Sequence, residues 1–158
     1  MAEVQLKKRL IYLSIIVSLF LIGNMWLDDS LQSFKKGKVV FSEPEIVFDI
    51  EIAETELQRA QGLMYRESLD LNAAMLFIFE DEGIQRVWMK NTLIALDVIF
   101  LSNTGKVVSI LQSLKPCKKP VCEIYASKLS AKYMLEVNAG IVKKTGLMVG
   151  QQFVFNRL

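Results

Sequence analysis

The chain has 158 residues, enough for one domain with a full apolar core and too few for two. Its hydrophobic content of 52% is high, its net charge is +2, and it contains no histidine. These values exclude Ser-His-Asp and Cys-His catalysis and histidine metal sites, and no nucleic-acid partner is expected without a strongly basic surface carrying interleaved aromatics.

Much of the apolar excess lies in residues 10–27 (LIYLSIIVSLFLIGNMWL), 18 residues without a charge. As a helix they would span about 27 Å, close to the hydrocarbon thickness of a bilayer. Lys7, Lys8 and Arg9 precede the run and Asp28 and Asp29 follow it, an asymmetry that places the N-terminus in the cytoplasm and the rest outside. Residues 1–27 therefore read as a membrane anchor, with Trp26 at the outer interface. A cleaved signal peptide, which would release a secreted domain, is the alternative. It is weakened because Asn24, Met25 and Trp26 stand where small residues should precede a cleavage site. A buried core helix is the third reading. The expected location is the cytoplasmic membrane, crossed once, with the C-terminal domain extracytoplasmic (periplasmic in a two-membrane cell). Residues 28–37 read as a linker and residues 38–158 as a β domain.

Within that domain, Ile46, Phe48, Ile50 and Ile52 alternate with Val47, Asp49 and Glu51, the period of a half-buried strand. Thr55 and Gln58 have capping-box spacing, and Gly62 sits where a left-handed C-terminal cap belongs, which predicts a helix over 56–61. Residues 74–79 (AMLFIF) are apolar throughout and read as a central strand. Glu80, Asp81 and Glu82 precede Gly83 and read as a solvated turn, and 85–89 as another strand. Asn103-Thr104-Gly105 signals a hairpin between 96–101 and 106–111. Residues 132–137 put Tyr133, Leu135 and Val137 on one face. Asn138 is placed to cap a second short helix ending at Gly146, and 151–155 close the domain. The expected class is mainly β (α+β), a compact β-barrel or folded sheet with two short helices. Strand order is left open by the pattern.

Cys117 and Cys122 flank a Pro-stiffened loop, KPCKKPVC. In an exported domain this spacing reads as a local disulfide. A redox pair lacks its usual C-x-x-C spacing, and a metal site would have two thiolates and no histidine. Charge is uneven: residues 28–103 hold seven basic and fourteen acidic side chains, residues 104–158 nine and two. Strand pairing between the two parts would bring opposite charges together; a basic face for anionic lipid or polymer is the sharper reading.

The densest mixture of apolar, amide and charged side chains is 88–100, WMKNTLIALDVIF. On a strand, Asp97 shares its face with Ile99 and Leu101, opposite Leu96, Val98 and Phe100. A carboxylate among such neighbours is paired or protonated. Lys90, Arg66, Asn91 and Thr92 are its candidate partners. As a clasp it would hold the 90–94 loop against the strand; as a functional group it would bind ligand or transfer protons. Glu136, with Lys132 and Met134, reads as solvated or surface-paired. Trp88 reads as core or as a ligand platform beside Lys90 and Asn91. Neither a phosphate-binding glycine loop nor a dinucleotide fingerprint is present, so no cofactor is expected, and no metal.

The stretches TELQRAQGLMYR at 55–66, MLFIF at 75–79, WMKNTLIALDVIF at 88–100, YMLEVNAG at 133–140 and GLMVG at 146–150 strongly resemble the bacterial and archaeal family catalogued as domain of unknown function 192. The cysteine pair ahead of Tyr125 fits members of that family. The resemblance implies a small, mostly β domain, often exported behind an anchor or signal, with no agreed activity. Its motif positions fall here on Gly62, Met64, Arg66, Trp88, Met89, Asn91, Thr92, Asp97 and Glu136. The chain departs from the pattern at Ala74 (usually glycine), Ala95 (usually proline) and Gln151 (commonly aspartate). The leading expectation is a membrane-tethered binding or accessory domain for a sugar or other small polar envelope component, with Arg66, Trp88, Lys90, Asn91, Thr92, Asp97 and Glu136 as ligand-binding candidates and no catalytic residue. A carboxylate acid–base enzyme on an envelope polymer, pairing Asp97 with Glu136 or Glu80, is one alternative; a structural partner of another envelope protein is the other.

Overall fold

The alternating pattern of the strands is satisfied by a curled sheet buried on both faces. The computed structural model describes residues 33–43 and 45–158, and residues 34–158 form a compact unit. The run 10–27 lies outside the described residues, among which no helix is long and apolar enough to cross a membrane.

In chain order the elements are β1 (Lys35–Ser42), β2 (Glu45–Ala53), α1 (Glu56–Gln61), β3 (Ala73–Gly83), β4 (Arg86–Trp88), β5 (Leu96–Leu101), β6 (Val107–Leu114), β7 (Ile124–Ala126), β8 (Ala131–Asn138), α2 (Ile141–Thr145) and β9 (Phe153–Arg157). Seven strands form one sheet in the order β6-β5-β8-β3-β2-β1-β9, and β4 pairs with β7 separately. The fold is thus mainly β with two short helices, as the pattern predicts. β2 and β3 are parallel and joined through α1; the remaining pairs of the main sheet are antiparallel.

The expected barrel is not closed. The sheet curls far enough for Phe153 on one edge strand to reach Tyr133 of β8, ring centroids 5.7 Å apart. Lys106, just before β6, makes an isolated bridge to Gln152, just before β9. The two edge strands meet at that corner without forming a ladder, so the sheet stays open.

Each face carries its own core. One holds Phe41, Phe48, Ile50, Leu76, Ile99, Leu101, Leu135 and Val137, covered by Ile141 and Val142 of α2. The other holds Leu63, Met75, Phe77, Val98, Phe100 and Met134, covered by Val87 and Met89 of the β4 segment. Burial of this kind contributes roughly 1.5–3 kcal/mol per large side chain.

Several local expectations are refined. The capping box is present: Gln58 N–H donates to Thr55 Oγ1 at 3.2 Å, and the Gln58 side chain accepts from Thr55 N–H at 3.1 Å. Gly62 has positive φ (48°), but its ψ of −133° lies outside the left-handed helical region. Glu80, Asp81 and Glu82 extend β3 instead of turning. β1 starts at Lys35, inside the stretch read as linker. Asn138 does not cap α2; it ends β8 and donates to the Leu69 and Asp70 carbonyls. Among the described residues, Arg157 with Glu54 is an ion pair joining the acidic and basic parts, whereas Lys35 with Glu54, Lys36 with Glu51 and Lys38 with Asp49 all lie within the acidic part. The charge split is therefore not mainly a strand-pairing device.

Candidate functional site

Asp97 is fully buried on the α2 side of the sheet, beside Ile99 and Leu101 as its strand position predicts. Neither Lys90 nor Arg66 pairs with it. Its Oδ1 accepts from Ser113 N–H at 2.8 Å and its Oδ2 from Val142 N–H at 2.9 Å. Ser113 is a non-glycine residue at positive φ (56°), in the irregular stretch where β6 slips against β5. Val142 lies in the first turn of α2, whose own N-cap, Gly140, offers no side-chain acceptor. One carboxylate thus holds an unfavourable backbone conformation and satisfies a helix N-terminus. Its contacts tie β6 to α2, not the 90–94 loop to the strand.

Glu136 occupies the other face. Strand alternation alone puts it beside Met134, and its Cα partners on the flanking strands are Met75 and Val98. Reading it as solvated misses what covers that face. α1 and the β4 segment roof over β8 there, leaving Glu136 only 5% exposed. It lines a cavity of about 260 Å³ with Gln61, Phe77, Phe79, Trp88 and Thr92. No hydrogen bond reaches its carboxyl among the described residues, and burial alone pushes that carboxyl up from 4.5 to about 8.

The cavity's other polar atoms are also under-used. Gln61 Oε1 is buried without a partner among the described residues. Thr92 is buried, and its hydroxyl makes only a 3.5 Å contact to the Lys90 carbonyl. Arg59 is committed elsewhere: it donates to the carbonyls of Glu54 and Ile78, pairs with Glu80, and lies over the Phe79 ring. Arg86 and Glu56 complete the charged lining. Trp88, at the rim, is 44% exposed.

Of the predicted site residues, the structure brings Trp88, Thr92 and Glu136 to one cavity. Lys90 lies beside it, its ammonium 5.4 Å from the Trp88 ring centroid. Asn91 is a corner: at φ 55° it donates from its backbone to Cys117 O and from its side chain to the Tyr65 hydroxyl, and accepts from Tyr65 N–H. Arg66 belongs to a separate polar cleft, paired with Glu51 and 5.9 Å from the Phe34 ring centroid. Burial raises Glu51, but the hydrogen bonds and charges of Arg66 and Lys36 outweigh it and hold the carboxyl below its usual range. Gln61 is the residue that sequence reasoning misses. Its signal is a glutamine at the last position of a capped helix, next to a glycine whose Cβ would meet Phe77 at 3.2 Å.

The cysteines form the expected disulfide, Cys117 to Cys122. The loop it closes is stitched to the β4 segment by Cys117 N–H to Met89 O at 3.1 Å and Asn91 N–H to Cys117 O at 3.1 Å. It thereby helps fix the Trp88 rim.

These features define a small domain of one open, curled sheet, with a buried carboxyl in a roofed cavity on one face and a buried carboxylate clasp on the other. The chain belongs to the DUF192 family, described as an uncharacterized ACR, whose pattern matches residues 39–155. It is 29% identical over 119 residues to a UPF0127 protein of Pyrococcus furiosus, a match covering 72% of this chain and 92% of that one. Two solved structures share the fold. One, from Sinorhizobium meliloti 1021 and described as a "putative transcription regulator", has 30% identity and a TM-score of 0.70, covering 78% of this chain and 95% of its own. The other, a protein of unknown function from Novosphingobium aromaticivorans, has 27% identity and a TM-score of 0.68, covering 75% and 83%.

Proposed function

We propose that this protein is a membrane-tethered, extracytoplasmic binding domain whose small polar ligand enters the cavity under Trp88 and reaches Glu136. The observation that carries the reading is Glu136 itself: a carboxyl 5% exposed, without a hydrogen-bond donor among the described residues, lining a cavity. Leaving an ionisable group buried and unpaired costs several kcal/mol, and groups kept at such a cost concentrate at functional sites. Tethering and location are supported by the uncharged 10–27 run with its flanking charges and by the disulfide, which suits an oxidising compartment.

A second reading, an acid–base enzyme acting on an envelope polymer, is favoured by one feature: a carboxyl held at about 8 is suited to proton transfer near neutrality. Neither carboxylate expected to pair with Glu136 stands across the cleft as such chemistry needs; the cavity's other carboxylate is Glu56 of α1. Asp97 faces the opposite side of the sheet, and the Glu80 side chain is 84% exposed and paired with Arg59. The transcription-regulator description of the Sinorhizobium relative is not carried over: the described helices have six and five residues, too short to read a DNA groove.

Fractionation of cells expressing the full chain tests the location, and thermal shift of the detergent-solubilised protein against envelope sugars and metabolites tests the site. Membrane recovery is expected, with a ligand-dependent rise in Tm that disappears in Trp88→Ala. A ligand held at a hundredfold its Kd stabilises by about 2.7 kcal/mol. Recovery in the soluble fraction would contradict the tether, and a shift undiminished in the variant would contradict the site.

A further inference from the structure

We propose that the group received at the floor of the Trp88 cavity is an ammonium, the protonated amine of a small ligand, held by Glu136, Gln61 and Thr92. The proposal rests on the cavity being the binding site and names the chemistry it selects. Three polar side chains line it with acceptor capacity unspent among the described residues: the Glu136 carboxyl, the partnerless Gln61 Oε1, and the Thr92 hydroxyl with its single long contact. An ammonium carries three N–H donors and no acceptor. An anion would meet these acceptors unfavourably, and a lone hydroxyl has one hydrogen to give. Phe77, Phe79 and Trp88 make the wall aromatic, and two of these rings already lie under cations, Phe79 under Arg59 and Trp88 under Lys90.

None of the charged groups around the floor pairs with Glu136. The charged groups lining the cavity besides Glu136 are Glu56, Arg59 and Arg86. Arg59 is already bound to Glu80 and to two carbonyls. Burial alone accounts for the shift at Glu136, with no neighbouring cation lowering it and no neighbouring anion raising it. The ammonium would be the carboxyl's first ionic partner. Because the free carboxyl is protonated below about pH 8, binding releases a proton, and affinity should climb as the solution pH approaches that value.

Three probes of equal size separate the possibilities: propylammonium, 1-propanol and propionate, titrated into the full chain in detergent while the Trp88 indole N–H is followed by NMR. Propylammonium is expected to bind tightest. Its affinity should rise about twentyfold from pH 6.5 to pH 8.5, following the ionised fraction of a carboxyl near 8. Glu136→Gln should abolish both the binding and the pH dependence. Gln61→Met should weaken binding severalfold and leave the pH dependence in place. Equal or tighter binding of propanol or propionate at Trp88 would overturn the ammonium assignment and leave the binding site standing. No response of Trp88 to any of the three would overturn both. A Glu136→Gln variant that still binds propylammonium with wild-type pH dependence would place the cation elsewhere and end the proposal.

Discussion

Replacing Asp97 by asparagine asks whether one carboxylate holds two parts of the fold together. The wild-type side chain accepts from Ser113 N–H at 2.8 Å and from Val142 N–H at 2.9 Å, one donor per oxygen, in a fully buried position. Asparagine keeps one acceptor and turns an NH2 toward the other donor. One charge-assisted bond is lost, about 1.5–3 kcal/mol, and the remaining bond becomes neutral and weaker. The total is about 3 kcal/mol. For a domain of this size that lowers Tm by about 10 °C. Urea denaturation of residues 33–158 at pH 7 should show a lower midpoint with an unchanged m value. Amide exchange at Ser113 and Val142 should accelerate more than at β3. An Asp97→Asn protein within about 0.5 kcal/mol of wild type, inside the range of a neutral surface substitution, would refute the clasp and return Asp97 to the functional carboxylates.

Glu136→Gln should act in the opposite direction and depend on pH. The folded carboxyl lies at about 8 against 4.5 when unfolded, so the folded state binds the proton more tightly and wild-type stability falls as pH rises from about 4.5 to 8. At pH 7 the loss is about 3 kcal/mol. The glutamine protein should match wild type at pH 4.5, exceed it at pH 8, and be read by denaturation at both. Gly105→Ala should cost about 1–3 kcal/mol in the same assay. Gly105 sits at φ 80°, and an added Cβ would stand 2.5 Å from Phe153 O, whose residue is fixed by its own N–H to Gly105 O at 2.8 Å. Cys117→Ser opens the short loop between cysteines five positions apart, which chain entropy values at about 2 kcal/mol. The domain should still fold, and thiol labelling of the unreduced wild type should find no free cysteine.

What the sequence made legible was local. Two-residue alternation placed Asp97 with Ile99 and Leu101 and put Leu135 and Val137 on one face, because a strand's faces follow from its covalent geometry. The capping box at Thr55 and Gln58 and the hairpin at Asn103-Thr104-Gly105 were legible for the same reason. What failed was non-local. Alternation gave Glu136 its face but not its roof, which comes from α1 and the β4 segment, far away in the chain. The partners of Asp97 could not be inferred either. Both are backbone N–H groups, from a slipped stretch of β6 and a helix first turn, and backbone donors leave no mark in side-chain identity. Of the residues read as ligand-binding candidates, Trp88, Thr92 and Glu136 converge on one cavity, whereas Arg66 and Asp97 are drawn off by Glu51 and by α2.

The most direct measurement is the titration of Glu136 itself. Side-chain carboxyl carbon shifts of residues 33–158, followed by NMR across the acid-to-alkaline range with Glu136→Gln for assignment, report whether this carboxyl is dry and unpaired in the free domain. A midpoint at about 8 is the expected result, moving down when propylammonium is added. A midpoint near 4.5, the ordinary glutamate value, would mean that Glu136 is solvated or already paired and that the cavity holds no waiting acceptor.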